Sequence, residues 1–203
     1  MSFQELFASY NSLLREVDGI FTWMQKTYPD AVLCIEGCAD CCHASFDVTF
    51  IEASSLRMAI QQIAVDDPVR QYIRLQAGKA KEEIEQKVPT LVDQGDDQQQ
   101  LLDSIATWRI RCPLLTADNR CAVYDARPLT CRVYGLPTEI SGKGHVCGFT
   151  GFDPGKTYPT IKLDTIVSRL DSLSERLAAE KPGEDPAWGK RRFFVHEIID
   201  SLE

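Results

Sequence analysis

Eight cysteines, Cys34, Cys38, Cys41, Cys42, Cys112, Cys121, Cys131 and Cys147, are the residues of this chain whose type and spacing carry chemistry. Four of them fall in the run Cys34-Ile-Glu-Gly-Cys38-Ala-Asp-Cys41-Cys42, and the other four are spread over a second region. Thiolate is a soft ligand that selects zinc, cuprous copper and iron–sulfur clusters, and a loop with cysteines three and four apart can bend several sulfurs toward one centre. Eight thiolates equal two complete four-sulfur shells, so two zinc ions, two clusters or one shared polynuclear centre all satisfy the count. Adjacent side chains of an extended segment point to opposite sides, which suggests that Cys41 and Cys42 serve different centres. The competing readings are disulfides and buried small hydrophobes. Close clustering in a chain expected to be cytoplasmic weighs against both.

The rest of the composition mostly excludes. There are 22 Lys and Arg against 30 Asp and Glu, a formal charge of −8, which provides no basic field for nucleic acid or for an anionic membrane. No apolar run has the length needed to cross a bilayer, and the first residues lack the basic-then-apolar order of a secretory signal, so a cytoplasmic location is expected. No phosphate-cradling loop, dinucleotide fingerprint, HExxH or nucleophile elbow is found.

Helices must position the cysteines. Phe3, Leu6, Tyr10, Leu13, Leu14 and Val17 lie on one stripe, Ser2 with Glu5 forms a capping box, and Pro29 stops the helix, giving an amino-terminal helix over 2–28. A second capping box, Thr49 with Glu52, opens another helix, and Asp67-Pro68 starts a third. The polar stretch 93–100 feeds a short helix over Leu101, Leu102 and Ile105. Between Trp108 and Pro159 glycine and proline crowd together, and irregular backbone is expected. Within it 111–115 and 120–124 read as a hairpin, Arg127-Pro128 as the start of a helical turn, and Gly142-Lys143-Gly144 as a flexible turn. The carboxyl end, 160–203, returns to helix: one helix carries Leu163 to Leu177, and a last one carries Trp188 to Leu202. The expected fold is mainly α: a single domain, 1–203, of helices packed around an irregular cysteine-rich metal-binding centre at 34–147, with a small β-hairpin.

The order Cys34-x3-Cys38-x2-Cys41-Cys42, then Cys112-Pro-Leu-Leu, Cys121-Ala-Val-Tyr124 and Arg127-Pro-x-x-Cys131-Arg-x-Tyr134 resembles the YkgJ-type cysteine-cluster family, a family of zinc- or iron-chelating domains. The resemblance spans Cys34 to about Cys147 and implies metal binding through all eight cysteines, Cys147 fitting the least distinctive position.

Arg127 and Arg132 stand beside the sulfurs in sequence, where guanidinium groups would offset the negative charge of a thiolate centre. Tyr124 and Tyr134 either bring hydroxyls near the centre or pack their rings beneath it. His43 or His145 offers an imidazole in place of one sulfur, and His196 belongs to a helix face. The leading functional expectation is an iron–sulfur protein, with a [4Fe–4S] cluster, a redox or radical-type role and a redox protein as partner. The alternative is a non-enzymatic zinc protein whose four-cysteine sites serve structure, partner binding or metal handling. A metal-free thiol sensor cycling through Cys41 and Cys42 or another cysteine pair is a third reading.

Overall fold

The computed structural model describes residues 2–92, 104–105, 107–180 and 185–202. The structure is mainly helical, with one small three-stranded sheet. Its residues fall into two compact units, each assembled from separate stretches of chain.

Unit 1 comprises 1–36, 49–52 and 128–192. Its first helix, α1 (Phe3–Thr27), is capped as the sequence predicts: the Ser2 backbone N–H donates to Glu5 at 2.7 Å, and the Glu5 N–H donates to the Ser2 hydroxyl. The apolar stripe of Leu6, Tyr10, Leu13, Leu14, Val17 and Met24 is buried, and α1 packs against the later helices α4 (Leu129–Val133) and α5 (Leu163–Glu180). Strand β1 (Thr138–Ile140) pairs antiparallel with β2 (Lys143–His145) and parallel with β3 (Ile161–Lys162). The β1–β2 connection is Ser141-Gly142 with φ of 50° and 75°, the left-handed pair that a two-residue hairpin turn requires. Thus 142–144 is not a loose turn: Gly142 makes the reversal, while Lys143 and Gly144 belong to a strand.

Unit 2 comprises 37–48, 53–127 and 193–203. Helix α2 (Phe50–Gln61) contributes its later turns here, followed by α3 (Pro68–Val92), on which the short α6 (Val195–Asp200) packs. Asp67 caps α3 by accepting from the Val69 N–H at 2.8 Å. Arg70, buried, donates to the carbonyls of Ile60 and Ile63 and satisfies the open end of α2. The expected last helix is interrupted. Residues Pro186–Lys190 form a 3-10 turn, and Phe193 exchanges both backbone hydrogen bonds with Val48 at 2.9 and 3.0 Å, so its N–H and C=O are already committed to extended pairing. Stretch 93–100 and Leu101 and Leu102 lie outside the described residues, while Ser104 and Ile105 are helical. Among the described residues no helix is long and apolar enough to cross a membrane.

Glu52 does more than the cap the sequence assigns. One carboxylate oxygen accepts from the Thr49 N–H and hydroxyl, and the other accepts from the N–H of Leu129, the first residue of α4. A single buried side chain therefore fixes two helix starts within unit 1. Burial pushes its carboxyl above the usual value, while the donors from Thr49 and Leu129 and the charge of Arg192 oppose that rise. A carboxyl with a raised folded-state value adds stability that is fully present below its ordinary value of 4.5 and is lost as pH climbs through the raised one. Replacing Glu52 with Gln should flatten that loss; urea denaturation repeated from pH 4.5 upward reads it as a reduced dependence of the unfolding free energy on pH.

Candidate metal centre

The double cysteine is not extended. Asp40–His43 form a single 3-10 turn, in which neighbouring side chains diverge far less than across a strand, and the Cys42 thiol shares a hydrogen bond with Cys41. The premise that the two sulfurs face opposite ways therefore falls. Two backbone connections bring the second region alongside: the Cys112 N–H donates to the Cys42 carbonyl at 2.6 Å, and Ala44 bridges Arg109. Arg109 also pairs with the Asp40 carboxylate, pinning the turn from its outer side.

Cys121 arrives through the 111–124 segment. The expected hairpin is reduced to a single bridge, Leu115 with Cys121, closed by Thr116 N–H to Arg120 O and Ala122 N–H to Leu114 O, both at 2.8 Å. It cannot extend because Pro113 lacks the N–H a ladder needs and residues 122–126 curl into turns. Arg111, which the sequence did not single out, holds this loop by donating to Leu115 O at 2.6 Å and Thr116 O at 3.0 Å. Its only sequence signal is adjacency to Cys112.

Cys41, Cys42, Cys112 and Cys121 thus lie in unit 2 and interact electrostatically. The bond to Cys41, burial, and the charges of Cys41, Cys112 and Cys121 all raise the Cys42 thiol far above its usual range. Burial, with Cys121 and Cys41, pushes Cys112 up to about 12, and burial also raises Cys121. Opposing these, the Leu114 N–H donates to Cys112 and the Val123 N–H to Cys121, each amide two residues beyond its cysteine, and Arg127 favours the Cys121 thiolate. The amides thus favour sulfur anions that burial and then neighbouring thiols disfavour. Among the described residues no three His, Cys, Asp or Glu side chains are already converged as a metal cage. The donor set nonetheless fits a thiophilic metal, because a cation that displaces the protons turns mutual repulsion into shared attraction.

The remaining expected residues are placed as follows. Cys38, in unit 2, is exposed. His43 is half-buried with Nδ1 3.0 Å from the Ala39 carbonyl; a proton on Nδ1 makes that bond and leaves Nε2 as the available lone pair. Tyr124 is exposed and carries the Arg127 guanidinium over its ring at 4.1 Å, so the ring orients the arginine.

In unit 1, Cys34 and Cys131 are half-buried and Cys147 is buried. Arg132, also buried, bonds Asp18 at 2.5 Å and ties α4 to α1. Tyr134 is half-buried at the end of α4, and His145 is exposed on β2. His196, in unit 2, is buried on α6 against Phe194, and burial lowers its pKa. Space therefore groups the cysteines differently from the chain: Cys41 and Cys42 stand with Cys112 and Cys121, while Cys34 shares a unit with Cys131 and Cys147.

The profile of the CxxCxxCC family, described as "putative zinc- or iron-chelating domain", matches residues 33–148, more than half of the chain and all eight cysteines. The chain belongs to the CxxCxxCC family. No curated protein and no solved structure matches it. Membership in the CxxCxxCC family supports metal binding, with zinc and iron as the metals.

The thiol environments predict an order of reactivity, since the thiolate is the nucleophile. In the reduced, metal-free chain at about pH 8, iodoacetamide should modify exposed Cys38 first and Cys42 and Cys112 last. Raising the pH toward 12 should release Cys112. Peptide mass spectrometry over a time course checks the order, and early labelling of Cys112 at the lower pH would contradict the raised thiol pKa.

Proposed function

We propose that this CxxCxxCC-family chain is an iron–sulfur protein that holds a [4Fe–4S] cluster on Cys41, Cys42, Cys112 and Cys121. The observation that carries this reading is the mutual electrostatic influence of four thiols in one unit, two of them receiving amide hydrogen bonds at sulfur. When bound, such a cluster supplies one-electron redox chemistry. The chain's own residues set its conditions. The amides of Leu114 and Val123 and the guanidinium of Arg127 stabilise negative charge on sulfur, which favours the reduced state. Cys112 and Cys121 are half-buried, which limits water, and Arg111 and the Asp40–Arg109 pair hold the loops in register. The exchange partner in this reading is another redox protein.

A second reading has one specific observation in its favour. Four sulfurs about 2.3 Å from a zinc ion stand about 3.8 Å apart along the tetrahedron's edges, and the hydrogen-bonded contact of Cys41 with Cys42 suits that short spacing. Zinc there would close the loops without turnover.

Anaerobic purification followed by iron, sulfide and zinc analysis, visible absorption and electron paramagnetic resonance separates the two. The iron–sulfur reading expects iron with matching sulfide, and Cys112→Ser or Cys121→Ser should each remove the chromophore. A colourless chain carrying zinc and no sulfide rejects it in favour of zinc. Loss of the Arg127 charge in Arg127→Gln should lower the reduction potential of the cluster, because the electron then adds to a less compensated centre; a redox titration monitored by paramagnetic resonance measures the shift.

A further inference from the structure

Unit 1 carries an open groove of about 320 Å3 between α1, β3 and the first turns of α5, and no cysteine lines it. Its floor is apolar and buried: Met24 comes from α1, Leu136 from the connection after α4, and Ile161 from β3. Ile20 and Ile166, both half-buried, add side chains from the two long helices. Trp23 stands at the rim, 49% exposed, and Tyr28 packs on it in a T-shaped contact with ring centroids 6.3 Å apart, which restrains the indole. The α1 residues follow the spacing Glu16, Ile20, Trp23, Met24, so a single helix face supplies them.

Size limits the occupant. Ligand pockets run from about 300 to 1,000 Å3, with mostly apolar walls and a few polar groups that fix orientation. This groove lies at the small end, and twelve described residues line it. A docked protein takes about 20–30 residues from each side, so the groove suits one small molecule.

Charge at the rim selects the head group. Arg169 Nη1 donates to both carboxylate oxygens of Glu16, at 3.2 and 3.0 Å, and these two charges offset each other. Lys162, exposed at the end of β3, makes no ion pair among the described residues. Asp164, two residues on, accepts from the Ser141 N–H at 2.8 Å, and neither it nor Glu139, the register partner of Lys162 on β1, lines the groove. The Thr165 hydroxyl is likewise without a side-chain hydrogen bond among the described residues. A cationic ligand must break Glu16 from Arg169 to find a partner, whereas an anionic one finds Lys162 available.

We infer that this groove binds a small apolar monocarboxylic acid, its hydrocarbon part over Met24, Leu136 and Ile161 and its carboxylate toward Lys162 and Thr165. The site uses no cysteine, so it does not depend on which metal the chain holds.

The test is calorimetric titration of the full-length chain, as purified, with octanoate, 1-octanol, octylammonium and acetate. Octanoate should bind saturably at one per chain, octanol and octylammonium more weakly, and acetate not at all. Lys162→Met should weaken octanoate by on the order of fivefold, the upper range for an exposed ion pair, and leave octanol unchanged. Octanoate should change the indole fluorescence of the native chain, and Trp23→Phe should remove that change. Ile166→Glu should abolish binding of both octanoate and octanol. If it fails to fold, Lys162→Met and Trp23→Phe, which alter exposed side chains, decide the matter. Absence of saturable octanoate binding overturns the site, as does octanol or octylammonium binding as tightly as octanoate. Unchanged octanoate affinity in Lys162→Met or in a folded Ile166→Glu also overturns it. Acetate binding as tightly as octanoate would mark a carboxylate held elsewhere, on a metal for example, and overturns it too.

Discussion

Thiol crowding is the constraint on which the centre depends. Cys42, Cys112 and Cys121 lie with Cys41 in one unit, where the hydrogen bond between Cys41 and Cys42, burial and then the charge of neighbouring thiolates all raise proton affinity. Left alone, such a group carries its protons as weak donors. The backbone around it is nonetheless arranged for anions: amides point at the sulfurs of Cys112 and Cys121, and Arg127 lies close enough to favour the Cys121 thiolate. The two tendencies conflict until a cation replaces the protons, and that conflict is the physical meaning of a metal-chelating family motif.

Short local turns produce this arrangement, rather than regular elements. A single 3-10 turn aligns Cys41 with Cys42, and one isolated bridge brings Cys121 to Leu115. Such segments make few ladder bonds of their own, so their carbonyls are satisfied from outside. Arg111 supplies two of these contacts. Arg70 does the same work away from the sulfurs, closing the end of α2. Arginine suits both positions because one planar fork reaches two carbonyls at once.

Unit 1 uses buried charge in a comparable way. Glu52 collects donors from the starts of α2 and α4, and Arg132 on α4 pairs with Asp18 on α1, so the five-residue α4 is anchored from both ends. A helix this short has little intrinsic stability, and its tertiary partners keep it formed. The same helix carries Cys131 and is followed by Gly135, whose missing side chain leaves room for the Cys34 sulfur.

The sequence by itself determined the mainly helical class, the capped starts at Ser2, Thr49 and Asp67, the stop at Pro29 and the cysteine-cluster family, because each is written in local spacing or residue type. Chain proximity could not determine which cysteines meet. Cys41 and Cys42 are separated by about seventy residues from Cys112, and their meeting depends on a backbone hydrogen bond and a bridge that have no local signature. For the same reason the Phe193–Val48 pairing that interrupts the final helix, the second role of Glu52 and the fit of Cys34 over Gly135 became visible only in three dimensions. Periodicity reports what a segment does with its own neighbours. Tertiary structure decides which distant polar groups and sulfurs complete one another, because those partners exist only once the chain has folded.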